Sequence, residues 1–358
     1  MLSPFLTLFR RIASELRMLA EDAFEHLPNQ AQPRVIRLGG RLSKRQSPGP
    51  EGGVLVADGL ARFIYTAYYL DDRPALRRLA AGELDIAPVW ALEDSEFVAS
   101  LRAAGAGAGT IEPGWHVERR SGVGWCVEKG GVRLWAADDE IIASSPPIPG
   151  ASISVRFPND RPYASPGFFT VLGDAGLPDV RHRAIVRLYM NAAPNAAPAL
   201  VAHISAALRA EGLPFMLKVV NDPRRFSRPD AAVLYLEREH FPLGRSLVAT
   251  FADVAHAGLR PAVPALAKRL APGIAVAEEP QGRVVAATSF GQHRCSLIAR
   301  ALGAAFAANQ DSADARYEEI LRAFRSMGLN PERPYLNTGS VDEFAPIGAA
   351  NVEYEGIA

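Results

Sequence analysis

The sequence predicts an α+β protein that has a mixed β-sheet core with flanking helices, preceded by a helical and β-meander segment. Of the 358 residues, 48% are hydrophobic and 22% are charged, which supplies one large core or two modest ones. Short runs separated by glycine fill residues 114–145, and after residue 150 strand-like alternation repeatedly gives way to helix-like periodicity. These observations divide the chain into segments 1–53, 54–150 and 151–358.

Segment 1–53 begins with a pattern typical of an amphipathic helix over residues 1–28. Charged residues enter at Arg10 and Arg11, so the apolar run is too short for a secretion signal or a membrane span. We therefore expect a cytoplasmic protein with no membrane partner. Residues 29–53 are rich in Arg, Gln, Gly and Pro and lack periodicity, which indicates a flexible linker.

Segment 54–150 first shows helical periodicity three times, over residues 54–70, 73–82 and 95–105. Tyr65, Tyr68 and Tyr69 lie on or near the first apolar stripe, where tyrosines are more often core residues than ligand contacts. A β-meander is predicted next, with three tryptophans packed on it: Trp115, Trp125 and Trp135. The segment either supports the rest of the chain or docks a peptide.

Segment 151–358 alternates predicted strands with predicted helices. The strand patterns cover residues 153–160, 184–191, 214–222 and 230–237. The helical patterns cover residues 196–211, residues 246–256 and two stretches after Gly291. This segment carries the residues that we connect with chemistry.

Composition excludes several classes of function. The 39 basic residues balance the 39 acidic ones, so overall charge gives no reason to expect a nucleic-acid partner. Cys126 and Cys295 have no spacing typical of a disulfide framework or a zinc site. The chain has no Walker loop, nucleophile elbow or HExxH motif, and no metal or organic cofactor is implied.

One lysine stands in an unusual position. Only four basic residues are lysines, and Lys218 is the one inside an apolar strand pattern. A buried lysine can lose its proton at moderate pH, whereas an arginine cannot, so Lys218 is a candidate general base. Because side chains alternate along strands, pairing of the three strands in compatible register places Arg187, Tyr189, Lys218 and Tyr235 on one face.

The turn after this lysine strand holds three arginines, Arg224, Arg225 and Arg228. They form either a solvated surface loop or an anion clamp, since arginine forks match phosphate geometry. A positive field here lowers the pKa of a neighbouring lysine. Asp222, just before the turn, is placed to fix Lys218 or an arginine by a charged hydrogen bond.

Two further segments supply candidate substrate contacts. Arg161 and Tyr163 lie in a proline-rich stretch with a stiff backbone. His293 and Arg294 lie where a helix begins, a favourable position for binding anions. His293 fits a structural hydrogen-bonding role better than a catalytic one, whereas for Arg294 both roles stay open.

Six stretches occur in an order that resembles the HopA-type effector family of plant-pathogenic bacteria: FPNDRPYASPGFF, VRLYMN, FMLKVVND, RRFSRPDAAVLYLE, SFGQHRCSLIA and NPERPYLN. The resemblance covers roughly Ile153 to Asn337. Domains of this type also occur as lyases beside a kinase-like protein in class V lanthipeptide and thioamitide biosynthesis. The resemblance implies that such a kinase phosphorylates a precursor peptide and that the lyase eliminates phosphate, leaving dehydroalanine or dehydrobutyrine.

A more remote resemblance is to the phosphothreonine lyases of animal-pathogen effectors. Their Lys-Val-Thr-Asp motif, which carries the base lysine, is similar to the stretch from Lys218 to Asp222. Their Lys-x-His strand, which carries the acid histidine, is replaced here by Arg187, Leu188 and Tyr189. An ordinary tyrosine is a weaker proton donor than histidine, so a phosphate held by arginines must leave with less protonation.

Two hypotheses about function follow. In the first, the protein is a phosphopeptide lyase with Lys218 as base and Tyr189 and Asp222 as further catalytic residues. Its phosphate ligands are Arg187, Arg225, Arg228 and Arg294, and its further substrate contacts are Arg161, Tyr163, Tyr235 and His293. Its partners are a phosphorylated precursor peptide and a kinase-like protein. In the second, the same fold binds a protein partner without chemistry.

Overall fold

The computed structural model confirms the α+β class. It describes residues 3–21, 23–27, 34–37, 54–74, 77, 93–161, 164–254, 258–281 and 288–348. Within these ranges the chain forms seven α-helices and three β-sheets. Every strand pairing in the described ranges is antiparallel, so the central sheet is antiparallel where a mixed sheet was expected.

The N-terminal helix is shorter than the sequence pattern predicts. Helix α1 spans Pro4–Glu15, with the Ser3 hydroxyl accepting from the Phe5 amide at its start. The chain then forms strand β1, Leu16–Ala20, which pairs with β2, Ala23–His26. Leu16 and Met18 are buried while Arg17 and Leu19 are exposed, and this alternation belongs to a strand. The prediction of one helix over residues 1–28 was therefore wrong.

The stretch interpreted as a linker contains a strand. Residues Arg34–Arg37 form β3, which pairs with β2 and completes a three-stranded sheet. The remainder of residues 29–53, apart from this strand, lies outside the described ranges.

Segment 54–104 is helical where it is described. Helix α2, Val54–Ile64, continues into one turn of π-helix, Tyr65–Tyr69. Helix α3, Ser95–Ala104, begins with the Asp94 side chain accepting from the Phe97 amide. Most of the helix expected over residues 73–82 lies outside the described ranges.

The predicted meander is present as a five-stranded sheet in the order β6-β5-β4-β8-β7. Its strands are β4, Thr110–Ser121; β5, Gly124–Lys129; β6, Val132–Ala136; β7, Ile141–Ile142; and β8, Ser152–Phe157. Trp115 and Trp125 are buried in a small core of this sheet, whereas Trp135 is 45% exposed. Two of the three tryptophans therefore pack as predicted.

The central sheet has six strands in the order β13-β14-β10-β12-β11-β9. They are β9, Phe168–Leu172; β10, Ile185–Met190; β11, Met216–Val220; β12, Ala232–Glu237; β13, Lys268–Ala271; and β14, Ile274–Glu278. Three of them, β10, β11 and β12, are the strands predicted to carry chemistry.

Helices α4, Ala197–Ala210, and α5, Phe241–Val254, pack on the central sheet and on each other. A Cβ on Gly244 of α5 would lie 2.9 Å or less from Leu188 and Leu236 of the sheet, so glycine allows this close contact. Helix α5 begins at Phe241, five residues before the predicted start, because Pro242 is tolerated in a first helical turn.

Helix α3 packs on α4 and β9, and the opposite side of the central sheet carries the other helices. Helix α6, Phe290–Ala307, contacts α2 and α7, Ala313–Ser326, and α7 also contacts α1. One hydrophobic core joins these helices to the central sheet, while the meander sheet has a core of its own. Among the described residues, no helix is both long enough and apolar enough to cross a lipid bilayer.

Candidate functional site

A cavity of about 690 Å³ opens on one face of the central sheet. Strands β10, β11 and β12 form its floor, and the π-helical turn, the start of α6 and several loops form its walls. Its charged lining residues are Arg187, Lys218, Arg228, Asp230 and Glu279. The other polar lining residues include Tyr65, Tyr69, Ser165, Tyr189, Tyr235, Thr288, Ser289 and Gln292.

The register of three strands brings the predicted side chains together. Arg187 of β10 lies opposite Tyr235 of β12, which lies opposite Met216 of β11. In the same way, Tyr189 of β10 lies opposite Val233 of β12, and Val233 lies opposite Lys218 of β11. Directly opposite residues share a face, so Arg187, Tyr189, Lys218 and Tyr235 all point to the cavity side, as the alternation predicts.

Lys218 is partly buried on this floor. Its Nζ donates to the Ser165 hydroxyl at 2.7 Å and lies 5.3 Å from the centre of the Tyr235 ring. Burial, and secondly the nearby Arg187 guanidinium, lower the pKa of Lys218 to about 8. A substantial fraction of the neutral amine is therefore present at moderately alkaline pH, as a general base requires.

Arg187 lies on the other side of the same tyrosine ring. Its guanidinium carbon is 4.7 Å from the centre of the Tyr235 ring, so this ring has a cation over it from each of two neighbouring strands. Glu279, just after β14, accepts from both Nε and Nη2 of Arg187, the second at 2.5 Å. This bidentate pair fixes the plane of the guanidinium.

Arg228 enters the cavity from the loop before β12. Its Nε and Nη2 donate to the Asp230 carboxylate, Nη2 at 2.8 Å, and its guanidinium carbon lies 4.9 Å from the centre of the Phe168 ring. Although burial opposes it, Asp230 raises the pKa of Arg228 above its usual value. Arg228 is thus a permanently charged group in a fixed orientation.

Tyr189 contributes its ring to the cavity floor. Its hydroxyl is buried, next to Tyr69 and Arg187. Burial raises the pKa of Tyr189 to about 12, against the opposing effect of Arg187. A hydroxyl with this pKa is a poor acid near neutral pH.

Arg294 does not line the cavity. Its guanidinium donates to the carbonyls of Pro334 and Leu336 at 2.8 and 3.1 Å and lies 2.6 Å from Nδ1 of His293. Burial and the adjacent Arg294 lower the pKa of His293 to about 4. His293 and Arg294 are therefore buried on α6, away from the other candidate residues. Arg294 binds the chain at Pro334 and Leu336 instead of facing the cavity.

Three other candidates also lie outside the cavity lining. Asp222 is buried, and both of its oxygens accept from the Arg224 guanidinium, so it fixes that arginine and not Lys218. These bonds hold the pKa of Asp222 below its usual value even though burial opposes it. Arg225 lies against Gly167, and Arg161 donates to two nearby main-chain carbonyls. Tyr163 lies outside the described residues.

Sequence analysis missed several residues of the cavity. Glu279 directly follows β14 and Asp230 lies two residues before β12, so both could have been noticed as acidic residues at the ends of apolar strands. Ser165 lies in the proline-rich stretch from which only Arg161 and Tyr163 were chosen. Two tyrosines of the π-helical turn were assigned to the core. No sequence signal marks the turn itself.

The outer edge of the cavity is apolar. Leu177, Pro178 and Val180, from the loop between β9 and β10, line it, and Leu177 and Val180 are 58% and 67% exposed. Two carboxylates and one imidazole, those of Glu237, Glu239 and His240, also lie close enough together to bind a metal ion, and none of the three lines the cavity.

Comparison with known proteins identifies the part of the chain that carries the cavity floor. Residues 159–336 match the model of the HopA1 effector protein family. The chain contains a HopA1-family domain. This domain holds Arg187, Lys218 and Arg228, and its bounds agree with the resemblance found in the sequence. No curated protein sequence matches the chain.

Two solved structures are similar to this chain as well. The effector protein from Pseudomonas syringae pv. tomato strain DC3000 is 17% identical with a TM-score of 0.41, over 68% of this chain and 81% of that one. The effector protein from Pseudomonas syringae pv. syringae strain 61 is 15% identical with a TM-score of 0.43, over 78% and 96%.

Proposed function

We propose that the cavity of the HopA1 domain eliminates phosphate from a phosphoserine or phosphothreonine of a peptide. One observation carries the proposal: a lysine with its pKa lowered to about 8 shares a cavity with two orientated arginines. The lysine is suited to remove a proton from carbon, and the two arginines are suited to neutralise a phosphate.

The elimination needs one base and one anion site. Neutral Lys218 takes the proton from Cα of the phosphorylated residue, and the electron pair of that bond forms the Cα–Cβ double bond. The Cβ–O bond breaks, and phosphate leaves with the bonding pair. The product residue is dehydroalanine or dehydrobutyrine, and the lysine later returns its proton to water.

Arg187 and Arg228 are the phosphate ligands in this proposal. Their hydrogen bonds to Glu279 and Asp230 use Nε and Nη2 of each guanidinium, and Nη1 is the group that binds the ligand in this proposal. Fixed donors that meet charge as it develops on the leaving group lower the barrier without reorganisation. Tyr189 contributes to the floor rather than as the acid, because its hydroxyl is covered.

The substrate in this proposal is a ribosomal precursor peptide that a kinase-like partner protein has phosphorylated. No cofactor enters the proton and electron balance of the step. The reaction takes place in the cytoplasm, where the kinase supplies the phosphopeptide.

Mass spectrometry of a phosphopeptide incubated with the purified chain tests the proposal. We expect loss of one phosphoric acid per phosphorylated site. Lys218→Arg keeps the charge but cannot supply a neutral amine, so we expect the rate to fall by a factor of about 10² to 10⁴. Lys129→Arg is the matched control, because Lys129 pairs with Glu112 on the meander sheet. Equal rates for both variants would remove Lys218 from the reaction.

A second candidate function is binding of the phosphopeptide without elimination. Glu279 and Asp230 pair with the two cavity arginines and offset part of their charge, which favours reversible binding of an anion over stabilisation of a leaving phosphate. Tight binding by the wild-type chain with no loss of phosphoric acid, at any pH between 7 and about 9, supports this candidate over the lyase.

A further inference from the structure

A turn outside the HopA1-matched residues forms one wall of the cavity. Residues Tyr65–Tyr69 form a π-helical turn, closed by the Leu70 amide donating to the Tyr65 carbonyl at 2.9 Å. Tyr65 and Tyr69 both line the cavity, with their ring centres 5.0 Å apart. Such a turn inserts one residue into a helix and is frequent at functional sites.

The start of α6 is shaped to admit these two rings. A Cβ built on Gly291 would lie 2.5 Å from Tyr69 and 2.7 Å from Tyr65, closer than any real contact. Glycine at this position therefore lets the π-helical turn reach the cavity.

The Tyr65 hydroxyl completes a hydrogen-bonded triad with the cavity arginine. It donates to Oδ2 of Asp230 at 3.2 Å and accepts from Nη2 of Arg228 at 3.3 Å. Asp230 in turn accepts from Nε and Nη2 of Arg228. The triad thus restrains one guanidinium from two directions, one of which comes from a distant part of the chain.

We propose that Tyr65 is a positioning residue for the phosphate site, holding Arg228 so that its Nη1 faces the ligand. The inference rests on the proposed function for the nature of the anion, and it adds that the phosphate site is built from two parts of the chain. The HopA1-matched residues supply the charge, and the π-helical turn fixes its direction. Charge-assisted hydrogen bonds of this kind depend strongly on geometry.

The same turn offers a matched control. The Tyr68 hydroxyl donates to Oε2 of Glu15 at 2.9 Å, and Tyr68 does not line the cavity. Tyr65→Phe and Tyr68→Phe each remove one hydroxyl bound to a carboxylate from one π-helical turn. They differ in whether the lost bond restrains a cavity arginine.

Calorimetric titration of the full chain with inorganic phosphate tests the inference directly. We expect Tyr65→Phe to weaken phosphate binding about tenfold, the size of one charge-assisted hydrogen bond, and Tyr68→Phe to leave it unchanged. Circular dichroism melting of both variants checks that each is folded. Wild-type affinity in Tyr65→Phe, an equal loss in Tyr68→Phe, or no phosphate binding by the wild-type chain each overturns the inference.

Turnover of a phosphopeptide separates this inference from the lyase assignment. If Tyr65→Phe raises KM about tenfold and the pH dependence of kcat stays that of the wild type, Tyr65 acts through binding and leaves the Lys218 base intact. If the wild-type chain binds phosphate in a Tyr65-dependent way but eliminates none, the lyase assignment fails and the role of Tyr65 stands. If elimination proceeds and Tyr65→Phe binds phosphate as tightly as the wild type, the proposed role of Tyr65 is wrong.

Discussion

At the scale of single residues, the difference between Lys218 and an ordinary lysine can be expressed as a population. With a pKa of about 8, roughly one Lys218 in ten is neutral at pH 7, against about one in 2,500 for a solvated lysine. Burial is the larger cause and Arg187 the smaller one. The environment of Lys218 thus raises the fraction of neutral amine at pH 7 by a factor of about 250, and no second base is needed to deprotonate it.

This shift predicts the pH dependence of elimination. We expect kcat to rise with pH through about 8 and then level off, because the neutral amine is the active form. The Arg187→Met variant should shift the increase in kcat to higher pH. Lys218 then has no cationic neighbour at this position, and Glu279 loses its arginine partner, so the pKa of Lys218 rises. The measurement is a pH profile by mass spectrometry. A flat profile from pH 6 to 10 is incompatible with Lys218 as base.

The lowered pKa of Lys218 also predicts how the free energy of unfolding changes with pH. Lys218 binds its proton less tightly in the folded chain than in the unfolded one, so stability rises as pH increases from about 8 towards about 10. Replacing Lys218 with Met removes this rise. Denaturant unfolding at pH 7 and pH 9.5 measures it, and an identical pH response in both proteins contradicts the shift.

At the scale of elements, the sequence predicted the cavity floor but not its walls. Alternation along β10, β11 and β12 is a local property, and it placed Arg187, Tyr189 and Lys218 on one face because neighbouring strands are in register. The partners of Arg294, in contrast, are carbonyls about 40 residues away. No local pattern specifies such a contact, and none distinguishes a π-helical turn from the apolar stripe of a helix.

The β9–β10 loop predicts where the peptide lies on either side of its phosphorylated residue. Leu177 and Val180 are exposed apolar residues that line the cavity, and under the proposed function we expect the peptide to pass over them. We expect Leu177→Asp and Val180→Asp to raise KM for a phosphopeptide several-fold and to leave the affinity for inorganic phosphate unchanged. Val341→Asp, on a residue 68% exposed elsewhere, is the control. Equal KM values in all three variants argue against this path.

At the scale of the whole molecule, α1 belongs to the same core as the HopA1 domain. Phe9 is fully buried, with its ring 4.9 Å from that of Phe324 in α7, and Arg316 of α7 donates to the Ala13 carbonyl. We expect Phe9→Ala to cost about 3–5 kcal/mol in denaturant unfolding, whereas Thr7→Ala on the exposed side costs little. A negligible loss in Phe9→Ala shows that α1 is dispensable for the fold.

The meander sheet, in contrast, has a core separate from the rest of the described chain. The connection that leads into β4 is fixed to the HopA1 domain. Asp174 accepts from the amides of Ala108 and Gly109, and Asn159, just after β8, donates to the Gly105 carbonyl. We therefore expect the meander sheet to open without disturbing the cavity.

This arrangement predicts two levels of stability in one chain. A core of seven buried residues buries little apolar surface, so the amides of β5 should exchange with deuterium faster than those of β10 in the central sheet. Val127→Ala, which removes a fully buried side chain from the small core, should speed exchange in β4–β6 further while phosphate affinity and exchange in β10 stay unchanged. Hydrogen exchange followed by mass spectrometry measures both. If Val127→Ala speeds exchange equally in the two sheets, they unfold as one unit, and the meander sheet is part of the support for the cavity.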